Sequence, residues 1–429
     1  MKFPLKLVVV MLTFVASVSA QAGSPPVESV RLADLQAEAV RKHPSIQAAL
    51  RMVEAKGARV PQARALPDPS VSVGWMGNIA PFDVQNGDPS SYRAVGAMQE
   101  FPWPGKRQLR AEVAAKEVDA EQWSVEAARR KVRAEVAQAF YGLWATDKAL
   151  QITRTNKELL EKLSRIAEEK YKVGRGVQQD VLRAHVEVTR ILQRLTLLEQ
   201  QRRTYEAQLN SLLIRPPGRV ISSVADVEKS SLSYSLEELL QQAAASPDIR
   251  QQEAWVEQAQ TAANLARRDY YPDFSVGYMY QQRSGMQDMH GFTFGIKIPV
   301  FYRDKQRKAV EEATLTRASL EQTRESIRTA LSFQVREQFL AARASEELLQ
   351  LYQRGVLPQS SLALESSLAS YQTGETDFLN VINNFTTILD YQVAYYQEVA
   401  NYQKALARLE EITGLELTAT SSVKEVRGK

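Results

Sequence analysis

The 429-residue chain contains no cysteine and only three histidines. Without cysteine there are no disulfides, iron-sulfur clusters, thiolate zinc sites or thiol nucleophile, and no acylated N-terminal cysteine of a lipoprotein. Charge of one sign is also missing in excess. The 54 Lys+Arg nearly balance 50 Asp+Glu, a net +4, too little for a nucleic-acid binder dominated by phosphate contacts. Beyond the first segment no apolar run reaches the ~20 residues of a membrane-spanning helix. Motifs of the common enzymes are lacking too: there is no G-x-S-x-G, H-E-x-x-H, Walker A or complete G-x-G-x-x-G, and no carboxylate pair stands out from helix-surface charge. The sequence therefore assigns no catalytic residue, cofactor or metal centre. What is present is 44% apolar residues, enough for a large folded protein.

The first residues name a compartment. Lys2 and Lys6 precede the apolar run 7–15, and Val18-Ser19-Ala20 places small residues where a signal peptidase reads. Residues 1–20 are expected to be an export signal, cleaved after Ala20. If the exported chain enters a membrane, it does so with strands.

The remainder is duplicated. Pro44, Ile46, Val53, Glu54, Ala63, Arg64, Pro69, Ser72, Val73, Gly74 and Met76 recur, 203 positions later, as Pro247, Ile249, Val256, Glu257, Ala266, Arg267, Pro272, Ser275, Val276, Gly277 and Met279. Further on, Tyr171, Gly174 and Val181 meet Tyr371, Gly374 and Val381 at an offset of 200. Matches that keep proline, glycine and aromatic positions in order indicate an internal repeat. The expected division is a first repeat over 21–234, a second over 235–414 and a tail over 415–429.

Each repeat reads in the same order. The first has a helix over 44–66, stopped by Pro67 and Pro69, strands over 70–76 and 92–101, a long helix over about 105–172 and a break over 173–177. The second has strands over 274–281 and 291–299, a long helix over 303–371 and a break over 372–377. A helix of about 68 residues is about 100 Å long. Val132, Val136, Ala139, Phe140 and Leu143 advance along it in steps of three and four, as do Leu331, Val335, Phe339 and Ala342 in the second. These are amphipathic seams for coiled-coil packing. The irregular stretch 215–235 and a helix over 235–245 are expected to wrap the rod partway along it.

The strands alternate with period 2. Val71, Val73 and Trp75 oppose Ser70, Ser72 and Gly74; Phe274, Val276, Tyr278 and Tyr280 oppose Ser275, Gly277, Met279 and Gln281; Phe292, Phe294, Ile296 and Ile298 oppose Thr293, Gly295 and Lys297. One apolar face and one small or polar face is the pattern of a barrel wall between lipid and water, with Trp75, Tyr278 and Phe292 as interfacial aromatics. The strand 92–101 is ambiguous, because Arg93, Val95, Ala97 and Gln99 share a face. A four-stranded sheet packed on helices in a soluble domain is the alternative. Four strands leave two open edges, and membrane barrels begin at about eight strands, so chains must pool them. Two copies give a barrel too narrow for an open duct; three give twelve strands.

These residues resemble the TolC-like outer-membrane efflux ducts over nearly the whole mature chain. The resemblance rests on His43-Pro44-Ser45-Ile46, the run Leu66-Pro67-Asp68-Pro69-Ser70-Val71-Ser72-Val73-Gly74, the Tyr171-x-x-Gly174 and Tyr371-x-x-Gly374 breaks, and Gly414-Leu415. The segment Gln99-Glu100-Phe101-Pro102-Trp103-Pro104-Gly105-Lys106-Arg107 is most similar to the CzcC-type branch serving heavy-metal efflux. The resemblance implies a mainly α chain with a small β part, assembled as a homotrimer in outer-membrane lipid of a Gram-negative bacterium. It implies a twelve-stranded barrel above a long periplasmic helical tunnel, docked to a periplasmic adaptor and an inner-membrane pump of the resistance-nodulation-division type. It implies a passive gated conduit with no catalytic site, exporting metal cations or small toxic compounds.

The two breaks then correspond to periplasmic tips, with Tyr171, Gly174 and Asp180 at one and Tyr371, Gly374, Glu375, Thr376, Asp377, Asn380 and Asn383 at the other. Tyr371 matches a gate tyrosine of the family. Thr376 stands where the family has arginine, and Asn380 and Asn383 stand where it has an aspartate ring, which puts block of the entrance by cations in doubt. Glu375, Asp377 and Asp180 are the acidic groups left to restore charge.

Other readings remain open. Met286, Met289 and His290 cluster in a loop with soft-metal chemistry, though an exposed surface loop is the favoured reading. His43 and His185 have no partner at ligand spacing, and the run Arg129-Arg130-Lys131-Val132-Arg133 reads as a solvated helix face. Type I protein secretion, or a periplasmic coiled-coil adaptor without a pore, are the alternative functions.

Overall fold

The computed structural model describes residues 30–77, 83–221, 224–227 and 230–418. The expected export signal lies outside the described residues, as does most of the tail.

The first half contains α1 (Leu32–Lys42), α2 (Pro44–Arg64), β1 (Ser70–Met76), β2 (Tyr92–Phe101), α3 (Lys106–Lys172) and α4 (Gln178–Leu212). The second contains α5 (Leu236–Ala243), α6 (Pro247–Arg268), β3 (Asp273–Gln282), β4 (Met289–Lys297), α7 (Gln306–Leu351), α8 (Leu357–Thr373) and α9 (Phe378–Thr413). Local chemistry sets the starts. Pro44 and Pro247 occupy first-turn positions where a missing N–H costs nothing. The His43 ring accepts from the Ser45 N–H, and Ser235 with Glu238 forms a capping box on α5.

The strands form one antiparallel sheet in the order β1-β2-β3-β4, leaving β1 and β4 as edges. β4 is displaced toward the N-terminus from the expected 291–299. It ends at Lys297, two residues before Pro299, which has no N–H for the ladder.

The helices stack as rods. α3 runs unbroken for 67 residues. α2 lies along its first part, where Lys56 and Arg59 both reach Glu117, at 2.9 and 3.0 Å. α4 lies along its last part, where Arg202 meets Asp147 at 2.6 Å and His185 meets Glu168 at 3.0 Å. Two shorter helices thus flank one long helix. At Gly142 the Tyr205 ring lies so close that a Cβ would collide with it. The second repeat copies this layout, with α6 beside the start of α7 and α9 beside α7 and α8.

The second long rod differs from the uninterrupted helix over 303–371. It begins at Gln306 and carries a π-helical turn, Tyr352–Val356, between α7 and α8. Pro358, in the first turn of α8, has no N–H to return to the preceding turn. The wider turn absorbs the misfit without ending the rod.

The largest core gathers partway along the rods. Phe140, Leu143 and Trp144 of α3 pack with Leu209 of α4, Leu239 of α5, Val335 of α7 and Tyr402 of α9. The described residues between 215 and 235 close over this level. Arg215 pairs with Glu38, the Leu232 N–H donates to the Tyr402 hydroxyl at 2.9 Å, and Trp144 Nε1 donates to Asp226 at 3.1 Å. A second core lies near the hairpin tips, around Leu160, Leu163, Phe378 and Phe385.

Candidate functional site

Two places carry the chemistry: the sheet, and the tips where α3 turns into α4 and α8 into α9.

The register brings most of the aliphatic and aromatic residues of the four strands to one face. Val71, Ala97, Tyr278 and Phe292 form one row across the sheet, and Val73, Val95, Tyr280 and His290 form the next. Gln99, Val276 and Phe294 form a third row, and Phe101, Phe274 and Ile296 a fourth. Trp75 lies opposite Arg93 at the far end. The face is exposed, most strongly on its edge strands, with Phe292 of β4 at 82% and Val73 of β1 at 74%. So large a continuous aromatic and aliphatic surface marks an interaction face rather than a wall against water. Arg93 and Gln99, the polar groups that made the face of β2 ambiguous, flank Val95 and Ala97. The Gln99 amide donates to the Pro67 carbonyl at 2.7 Å, and Arg93 is level with Trp75. Aromatic groups with polar tips border the face. Trp75 Nε1 donates to the Asp83 carbonyl at 2.6 Å, and the Tyr278 hydroxyl and His290 Nδ1 are 2.7 Å apart.

Where sheet meets rods, Lys106 is 3% exposed. Its ammonium donates to Asp273 at 2.8 Å and to the Tyr271 carbonyl at 2.9 Å. Trp103 stacks on Tyr271 and Phe274 beside it. A buried cation with a carboxylate and a carbonyl is satisfied, so this is a structural clamp between β3 and α3.

At the tips the two equivalent tyrosines behave differently. Tyr371 is 5% exposed and packs on Phe378, whereas Tyr171 is 47% exposed. Lys170 supplies the asymmetry. Its ammonium crosses from α3 to donate to the Tyr371 carbonyl and lies 4.1 Å from the Tyr371 ring centroid, a cation-π arrangement. The Tyr371 hydroxyl is buried without a hydrogen-bond partner among the described residues. Burial, together with the charge of Asp180, pushes its pKa up to about 12. Burial also raises the Asp180 carboxyl above its ordinary value, and Asp377 adds to the rise while Arg183 and Lys170 oppose it. Asp180, Tyr371 and Asp377 therefore come together from both hairpins.

The remaining tip residues are spread. Gly174 and Gly374 take left-handed conformations, φ 73° and 86°, and permit the tight turns. Asn380 donates to Thr376 at 3.0 Å at the start of α9. Glu375 and Asn383 are exposed.

The cluster Met286, Met289 and His290 does not converge. Met289 and His290 are neighbours on a strand and so point to opposite faces. His290 meets Tyr278, and Met286 lies in the exposed connection between β3 and β4. Among the described residues there is no group of three or more His, Cys, Asp or Glu placed to hold a metal ion, and no helix is long and apolar enough to cross a membrane.

A rod of duplicated helical hairpins carrying a four-stranded sheet with one exposed apolar face defines a class, the outer-membrane efflux channels. The model of the outer membrane efflux protein family matches residues 35–213 and 239–415, one segment in each repeat, and the chain belongs to this family. It is an outer-membrane channel component of efflux, not an enzyme.

Among curated proteins, the pyoverdine export outer membrane protein OpmQ of Pseudomonas putida is 24% identical over 322 residues, covering 72% of this chain and 65% of OpmQ. The cobalt-zinc-cadmium resistance protein CzcC of Cupriavidus metallidurans is 19% identical over 382 residues, 86% of each chain. Among solved structures, the outer-membrane channel OprN has a TM-score of 0.77 at 17% identity, covering 90% of this chain and 91% of that one. CusC has a TM-score of 0.77 at 16% identity, covering 90% and 92%. These two likenesses are of fold.

Proposed function

We propose that three copies of this chain close a twelve-stranded barrel in the outer membrane of a Gram-negative bacterium. The rods then continue it as a periplasmic tunnel. The observation that carries this reading is the sheet, with one lipid-compatible face and two unpaired edges, β1 and β4. A membrane tolerates no open edge, so the strands of other copies must complete the ladder. The rods agree. Phe333 and Leu340 of α7, Leu362 of α8, and Leu182 and Leu197 of α4 are all exposed on a single copy, at positions where a bundle of several copies covers them.

In this reading the two repeats, 21–234 and 235–414, each supply two strands and one hairpin rod. The tips form the periplasmic gate, with Tyr371, Asp180 and Asp377 in the contact between hairpins and Asn380 and Asn383 at the entrance. An adaptor protein and an inner-membrane pump of the resistance-nodulation-division type dock there and supply the energy. The cargo is metal cations or small toxic compounds. The name of CzcC favours metals and that of OpmQ pyoverdine, and the Gln99–Arg107 segment supports the CzcC-type branch.

The test begins with localisation and assembly. The full-length protein should fractionate with the outer membrane and run as a trimer in detergent by light scattering. A monomer that conducts ions in planar bilayers overturns the reading. A deletion strain challenged with zinc, cobalt, cadmium, copper and several drugs should become sensitive to the metals, and sensitivity to drugs alone overturns the CzcC-type assignment.

A further inference from the structure

All four methionines in the strands, Met76, Met98, Met279 and Met289, lie on the face opposite the aromatic one, among Gly, Ser and Thr. An apolar side chain is at home against lipid, yet no strand methionine is placed there. Three of them form a regular diagonal. Met98 on β2 shares a row with Ser70, Gly277 and Thr293. Met279 on β3 shares the next row with Ser72, Gly96 and Gly291. Met289 on β4 shares the row after that with Gly74, Ala94 and Gln281.

Each step is one strand across and one row up. Diagonal neighbours of this kind are roughly 7–8 Å apart, within reach of long side chains. Glycines make the floor. A Cβ on Gly277 would stand 3.8 Å from Met98 Cγ, and one on Gly291 3.9 Å from Met279 Cε. The thioethers therefore lie across bare backbone of the next strand. Met98 and Met289 are about half exposed, at 49% and 47%. The Gln281 amide lies 3.8 Å from Met279 Sδ.

We propose that the diagonal Met98, Met279, Met289 is a stepwise binding path for soft monovalent cations, Cu(I) or Ag(I), along the inner wall of the barrel. The proposal rests on the barrel reading above, which makes this face the lumen. Thioethers are neutral and polarizable. They bind Cu(I) in preference to hard or borderline cations, which take oxygen and nitrogen ligands. Neutral donors at successive, similar sites favour entry without a deep trap, the condition for movement along a wall. The chain has no thiolate to hold such an ion permanently. Met76 lies on the same face of β1, the other open edge, so closure against a second copy places that copy's Met76 on the strand beside Met289.

The test uses full-length protein in planar bilayers with nitrate salts, wild type against the combined M98L, M279L and M289L variant. Leucine keeps the side-chain volume and so the pore. Added Ag(I) should block the wild-type conductance, Zn(II) should not, and the variant should need about tenfold more Ag(I) for the same block. X-ray absorption of Ag(I)-loaded wild type should show silver-sulfur scattering that is weaker in the variant, which keeps Met52, Met76 and Met286. Equal Ag(I) responses, or no silver-sulfur scattering in the wild type, overturn the path while the intact conductance leaves the duct standing. Failure of both proteins to assemble and conduct overturns the duct, and the lumen with it.

Discussion

The two long rods descend from one repeated pattern, yet the chain treats them unequally. α3 buries an almost continuous run from Val132 to Leu150, because α1, α2, α4, α6 and α9 all pack on it. α7 buries only Leu331, Val335, Ala342, Ser345 and Leu349, and leaves Phe333 at 65% exposure and Leu340 at 58%. The tips invert the contrast: Tyr371 of the second repeat is covered by Lys170, whereas Tyr171 of the first is uncovered. The long helix α3 is thus central to the core of the single chain, whereas α7 leaves apolar side chains exposed that the proposed assembly would cover. Duplication here has produced a scaffold and a contact surface from the same material.

Substitution along the rods tests this contrast with the largest effect. Phe140→Ala in α3 should cost about 3–5 kcal/mol of stability through the cavity it leaves, read by thermal or denaturant unfolding in detergent. Phe333→Asp in α7 should leave the fold of the single chain intact but shift assembled protein to monomer by light scattering. A trimer unaffected by Phe333→Asp would break the comparison.

At the tips, Lys170→Met removes a charged hydrogen bond and a cation-π contact. At about 1.5 kcal/mol, partly exposed as Lys170 is, the loss should raise the open-to-closed ratio roughly tenfold. Single-channel recording should show this as a gain in open time. Ser370 occupies the equivalent place in the second repeat and has no reach to Tyr171, so Ser370→Ala should change nothing.

The smallest effect is in pH. Burial and Asp377 hold the Asp180 carboxyl above its ordinary value while the hairpins are together. Separation restores water and removes the neighbouring charge, which returns it toward its ordinary acidity. Protonation therefore favours the closed tip. Open probability should fall as pH drops through the Asp180 titration and recover as pH rises. Asp180→Asn should flatten this dependence and hold the tip nearer its acid behaviour.

Much of the fold was legible because both elements have strong periods. Alternation assigned one apolar face to β1, β3 and β4, and long unbroken helical composition between glycine-bearing breaks indicated the rods. β2 resisted because Arg93 and Gln99 lie on its apolar side. The register shows Arg93 level with Trp75 and Gln99 bonded to the Pro67 carbonyl, with Val95 and Ala97 between aliphatic and aromatic neighbours. The π-helical turn had a local signal in Pro358, overridden by the helical composition around it. The Lys106 clamp had none, because its carboxylate partner is 167 residues away. At the tips the tyrosines and glycines are readable from the repeat, whereas Lys170 is not. Comparing repeats offers the clue, since a cation at 170 faces a serine at 370.

The unfinished sheet also governs how the protein is made. A newly exported copy carries a row of backbone donors and acceptors along β1 and another along β4 that water satisfies but hydrocarbon does not. Insertion before association is therefore strongly uphill, so barrel formation should be of higher than first order in chain concentration. Thermal stability of the assembled form should rise with protein concentration as well. Scarcity of subunits, rather than weakness of any one contact, becomes the point at which biogenesis stalls.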